Sequence, residues 1–190
     1  MNKTNWMMQW WRSGLMAVTA VVWLTACDNN TPLMKAVLDQ DAAGVTAELQ
    51  QQAADVDARN AYGWTALMHA ARIGDETIVQ SLLAHGAAVD LQDEGGWTAL
   101  MRAAQKGNDG AVKQLLARGA RINLVDRKGY SALHWAAHQG HITTVNLLLT
   151  AGADAALKNV EGATADDLAG DEGHSDIVTL FKRQRAQGGG

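Results

Sequence analysis

One short phrase returns along this 190-residue chain at a fixed step. Gly63-Trp64-Thr65-Ala66-Leu67 recurs as Gly96-Trp97-Thr98-Ala99-Leu100, then as Gly129-Tyr130-Ser131-Ala132-Leu133, and more faintly as Gly162-Ala163-Thr164-Ala165-Asp166, each 33 residues after the last. Other columns keep that period: Gly74, Gly107, Gly140 and Gly173; Val79, Val112, Val145 and Val178; Leu82, Leu115, Leu148 and Phe181; Gly86, Gly119 and Gly152. A degenerate first copy starts at Thr31-Pro32-Leu33, with one extra residue near Gln50 to Gln52. A period of this size marks a stack of supersecondary units, none of which can bury its apolar face alone. Hydrophobic residues at 47% and charged residues at 19% supply enough core material and exclude a disordered chain.

Within one unit the local physics is legible. Thr65 caps a helix by accepting a bond from an early backbone N–H. Leu67, Ala70 and Ala71 share one face of it, and the alanines permit close packing. Gly74 suits the left-handed position that ends a helix. Ile78, Val79, Leu82 and Leu83 form the apolar stripe of a second helix, which Gly86 ends. Residues 87–95 form an extended excursion back to Gly96.

The period and the wording resemble the ankyrin repeat, with its Thr-Pro-Leu-His signature, over about residues 30–183. The resemblance implies an all-α ankyrin-repeat solenoid of about five helix-turn-helix units joined by hairpin loops, at about 30–61, 62–94, 95–127, 128–160 and 161–183, with residues 184–190 as a flexible tail. It also implies a non-catalytic protein-binding module, usually monomeric, whose partner lies against hairpin tips and inner helices. The terminal units are atypical, as capping units should be. In the last, Asp166 stands where the others have leucine, which puts the folding of that unit most in doubt.

Five of the six aromatics beyond residue 27 fall in the columns that vary between units of this family: Tyr62, Trp64, Trp97, Tyr130 and Trp135, with Phe181 the exception. Together with Arg72, Arg102, Arg127 and His138 they are the candidate partner-binding residues, since Trp, Tyr and Arg are the usual anchors of interfaces. Trp64, Trp97 and Tyr130 recur at the repeat period, so the rings can equally brace neighbouring hairpins. His134 and His138 would share one helical face, as a metal pair does. His134 nevertheless matches the signature histidine, and His141 and His174 also match structural places of the family. No metal or other cofactor is expected. The serines sit in no nucleophile-elbow setting, and the glycines follow repeat geometry instead of forming a phosphate loop.

The first residues differ in kind. Lys3 and Arg12 precede an apolar run from Gly14 to Leu24, and Leu24-Thr25-Ala26-Cys27 resembles the lipobox of bacterial lipoproteins. That resemblance implies a signal peptide over 1–26, acylation of Cys27 and a short tether over 27–29. Cys27 is the only cysteine, so no intramolecular disulfide can form. The expectation is a periplasm-facing envelope lipoprotein, with Asp28 favouring the inner membrane. Loss of residues 1–26 leaves 14 basic and 20 acidic residues, a net of −6 against −4 for the whole chain. That balance favours basic partners and argues against nucleic acid. No small-molecule substrate is expected. Two roles fit an anchored binder: an immunity protein neutralising an envelope-acting toxin, or a scaffold for an envelope enzyme.

Overall fold

Thr31, Thr65, Thr98, Ser131 and Thr164 do the same work five times. Each has an extended backbone, and each side-chain oxygen accepts the N–H three residues on, from Met34, Met68, Met101, His134 and Asp167, at 3.2–3.4 Å. That satisfies a donor which the first turn of a helix otherwise leaves without a partner. The helices so started are α1 (Pro32–Leu38), α3 (Ala66–Ile73), α5 (Ala99–Lys106), α7 (Ala132–His138) and α9 (Ala165–Asp171). Gly74 and Gly107 stop α3 and α5 in the left-handed conformation, at φ +88° and +68°. The chain then turns into the second helix of each pair: α2 (Ala42–Leu49), α4 (Glu76–Ala84), α6 (Asp109–Ala117), α8 (Ile142–Thr150) and α10 (Ser175–Gln187). The computed structural model describes residues 29–51 and 55–187, and among these there are ten helices and no strand.

The pairs stack in two layers. The inner row is α1, α3, α5, α7, α9 and the outer row α2, α4, α6, α8, α10, each helix touching its counterpart in the next unit. The core lies between the rows. Leu67, Ala70 and Ala71 are buried from the inner row, and Ile78, Val79, Leu82 and Leu83 from the outer; the first three outer positions stay buried in the next two units, whereas Leu116 and Leu149, in the place of Leu83, are half-buried. A fully buried leucine or isoleucine contributes about 1.5–3 kcal/mol. The alanines contribute little area, but their size lets consecutive inner helices approach.

Polar ties between units repeat as regularly. Asn108 Nδ2 donates to the carbonyls of Ala71 and Arg72, while His141 Nε2 and His174 Nε2 reach those of Gln105 and His138 at 3.1 and 3.2 Å. These groups satisfy carbonyls at the ends of α3, α5 and α7. On the loops, Asp57, Asp90 and Asn123 each accept from a backbone N–H 31 residues on, at Ala88, Arg121 and Asp154.

The last unit folds despite Asp166. Thr164 and Asp167 form a reciprocal capping box that starts α9, and Asp166 pairs with Arg185 on α10. The helix α10 runs through Gln187, so residues 184–187, expected as tail, continue it. No helix of the described residues is long and apolar enough to cross a membrane. Residues 1–28 lie outside the described residues, and with them the expected signal peptide, Cys27 and Asp28.

Candidate functional site

The hairpin tips are built on one column, Asn60, Asp93, Asp126 and Asn159, all buried. The Oδ1 of each accepts two backbone N–H groups, from residues two and four further on: Tyr62 and Trp64, Gly95 and Trp97, Lys128 and Tyr130, Glu161 and Ala163. In the first three turns the left-handed glycine is needed for close approach to the turn that follows. A Cβ on Gly129 would lie 2.9 Å from the Cα of Asn159, and one on Gly96 3.0 Å from the Cα of Asp126. Successive tips are also joined through the backbone, Arg127 N–H donating to Gly95 and Val160 N–H to Lys128, both at 3.0 Å.

In the two central turns the second carboxylate oxygen faces the inner helices. Asp93 Oδ2 receives Arg102 at 2.6 Å, and Asp126 Oδ2 receives the indole N–H of Trp135 at 3.1 Å. Arg102 is held between two rings, its Cζ 3.9 Å from the Trp64 centroid and 4.1 Å from that of Trp97. Trp135 lies 4.3 Å from Trp97 and 4.8 Å from Tyr130, centroid to centroid. Arg72 sits 5.3 Å from the Trp64 ring on α3, and His69 stacks on that ring at 4.8 Å. At the other end His138 meets the edge of Trp135, and its Nδ1 lies 3.4 Å from Glu172 Oε1. One continuous stack thus runs from Arg72 through Trp64, Arg102, Trp97 and Trp135 to Tyr130.

The candidate residues therefore divide. Trp64, Trp97, Arg102, Tyr130 and Trp135 are half-buried members of the stack and His138 is half-buried at its edge, whereas Arg72 is exposed at its end and Tyr62 and Arg127 are exposed beside it. Bracing between hairpins is built into this face, since each pair of stacked rings is worth about 0.5–1.5 kcal/mol beyond its buried area. The periodic aspartates, legible from sequence only as turn residues, hold Arg102 and Trp135 in place. Burial lowers the Arg102 pKa below the ordinary guanidinium value, against the opposing pull of Asp93.

His134 belongs to the fold. Its Nδ1 accepts the Ser131 N–H at 3.2 Å in a capping box, which leaves the proton on Nε2. The ring is fully buried, and desolvation lowers its pKa. A metal shared with His138 would have to displace the capping box. Among the described residues no group of three or more His, Cys, Asp or Glu side chains is placed to hold a metal.

Two rows of stacked helices joined by turned hairpins define a helical repeat solenoid. The family model for ankyrin repeats matches residues 26–126 and again residues 100–187. The chain belongs to the ankyrin-repeat family, a module of protein–protein interaction that is generally non-catalytic. A comparison with curated proteins finds no match.

Proposed function

We propose that this chain is a non-catalytic binder that holds a single protein partner across the face formed by the hairpin tips and inner helices, and that a lipid on Cys27 tethers it to the bacterial envelope, facing the periplasm. One observation carries the binding reading: aromatic and basic side chains collect on that face of a chain whose net charge is −4. Such groups bring large contact area with few rotatable bonds and the highest energy per residue at interfaces. The stack presets them, which lowers the entropy lost on association. The tether reading is supported by Leu24-Thr25-Ala26-Cys27 after an apolar run.

Trp97 and Trp135 are bound into the stack, so the cleaner test changes exposed residues. The full chain and a Tyr62→Ala/Arg127→Glu variant would each serve as bait in envelope extract. One protein captured by the first and lost from the second, with equal melting curves, is the expected result. Equal capture by both would refute the assigned face. For the tether, Cys27→Ala should abolish incorporation of labelled palmitate and release the protein from the membrane fraction; a labelled or membrane-bound variant would refute it.

A further inference from the structure

Each tip turn hides its aspartate or asparagine and leaves the neighbours of that residue toward solvent. In the last two turns Asp126 and Asn159 are buried, while Val125 and Arg127 on either side of the first, and Lys158 and Val160 on either side of the second, are exposed. Lys128 is exposed as well. The two turns adjoin, since the Val160 N–H donates to the Lys128 carbonyl at 3.0 Å. Two valines and three cations therefore share the outer surface of these two tips.

The fold does not require the valines. In the other turns the place of Val125 holds Arg59, Gln92 or Lys158, and the place of Val160 holds Ala61, Glu94 or Arg127. Val125 is 40% and Val160 72% exposed, which makes them two of the four large apolar side chains left exposed among the described residues. They add little to the packing of their own chain, and their apolar area is removed from water only when something covers the tips.

Charge selects what covers them. Arg127, Lys128 and Lys158 belong to no salt bridge among the described residues. Within residues 125–130 and 158–163, Glu161 is the one exposed acid. Asp126 is taken up by the Lys128 and Tyr130 N–H groups and the Trp135 indole. Asp167, near enough to Lys158 to feel its charge, is held by the backbone N–H and hydroxyl of Thr164. The two tips thus carry excess positive charge on a chain of net −4, which opposes the expectation of a basic partner drawn from the whole chain.

We propose that the tips of the last two turns are the contact for an acidic segment of the protein partner. Its carboxylates face Arg127, Lys128 and Lys158, and an aliphatic side chain between them covers Val125 and Val160. Opposite charges steer the encounter and fix its register, and the apolar contact slows dissociation. The proposal rests on the reading of this face as a protein-binding surface.

The test pans a random heptapeptide library displayed on phage against the full chain purified in detergent, followed by fluorescence polarisation with the enriched peptide. The expected consensus is an aliphatic residue flanked by Asp or Glu. Binding should weaken at least about tenfold in Lys128→Glu/Lys158→Glu, and several-fold in wild type as salt rises from about 50 mM to about 500 mM. Val160→Asp should also weaken it about tenfold, whereas Glu161→Lys, which removes the one opposing charge, should tighten it. All four positions are exposed, so thermal melts should match wild type and separate lost contact from lost folding. A consensus without acids, or one that binds Lys128→Glu/Lys158→Glu or Val160→Asp undiminished, overturns the proposal while the binding face itself stands. A dimer of the full chain in analytical ultracentrifugation that Val160→Asp dissociates would give the valines to a second copy and overturn it as well. Absence of any enrichment overturns it too, and the reading of the face then rests on the envelope pull-down alone.

Discussion

Removing Asp93 should cost more than any other single polar change in the central turns. Its side chain is 3% exposed and that of Arg102 14%, so solvent does little to screen the pair. Asp93→Ala leaves Arg102 packed between Trp64 and Trp97 with no counter-charge, and also strips acceptors from the Gly95 and Trp97 N–H groups. Breaking a buried pair on one side costs about 3–5 kcal/mol. Asp93→Asn separates the contributions. The amide oxygen can still accept both backbone N–H groups, as Asn60 and Asn159 do in their own turns, while the charge and the acceptor for Arg102 are lost because the amide NH2 takes the place of Oδ2. A charge-assisted bond is worth about 1.5–3 kcal/mol, so the Asn variant should fall between wild type and Ala. Urea unfolding followed by far-UV circular dichroism reads both. With an m of about 2–3 kcal/mol/M, Asp93→Ala should move the midpoint down by about 1–2 M. An Ala variant less than about 1 kcal/mol below wild type would refute the idea that the pair organises this face. Equal losses for Asn and Ala would refute the separate role of the turn bonds.

Three further outcomes follow from the same coordinates. Burial lowers the His134 pKa, so the unfolded chain binds the extra proton more readily; stability is complete above the unfolded value of about 6.5 and declines as the pH falls through it, a decline that should flatten in thermal melts of His134→Gln if His134 is its source. Asp166→Leu restores the leucine of the other units, removes a buried Oδ1 that has no hydrogen-bond partner and partly fills the cavity of about 570 Å³ beneath α10; the variant should gain about 1–2 kcal/mol and melt higher, and a lower melting temperature would show that the Arg185 pair outweighs the apolar gain. Gly129→Ala adds a Cβ against the Asn159 backbone at φ +77° and should lose about 1–3 kcal/mol by denaturant titration, distinctly more than Gly119→Ala, where φ is +81° but the space is open.

How far the sequence could be read depends on the range of each interaction. Helix starts at Thr65, Thr98 and Ser131 were legible because a cap is satisfied within one turn by a donor three residues away. The stops at Gly74 and Gly107 were legible for a similar local reason, and the buried columns because a period of 33 places the same face inward each time. Asp166 showed that α9 differed, but not that Arg185, nineteen residues on, would pair with it.

The candidate residues were legible as a set, and their arrangement was not. Sequence placed Trp64, Trp97, Arg102 and Trp135 in variable columns of one face, and left open whether the rings bind or brace. Only the stacked units put Arg102 between rings of two different units, and turned the second oxygens of Asp93 and Asp126 toward it and toward Trp135. The period and the caps act along the chain within a few residues, so sequence alone determined the helices, their order and their buried faces. The stack depends on the spacing and rotation between neighbouring units, which side-chain packing of the whole core sets, so only the tertiary structure decided it.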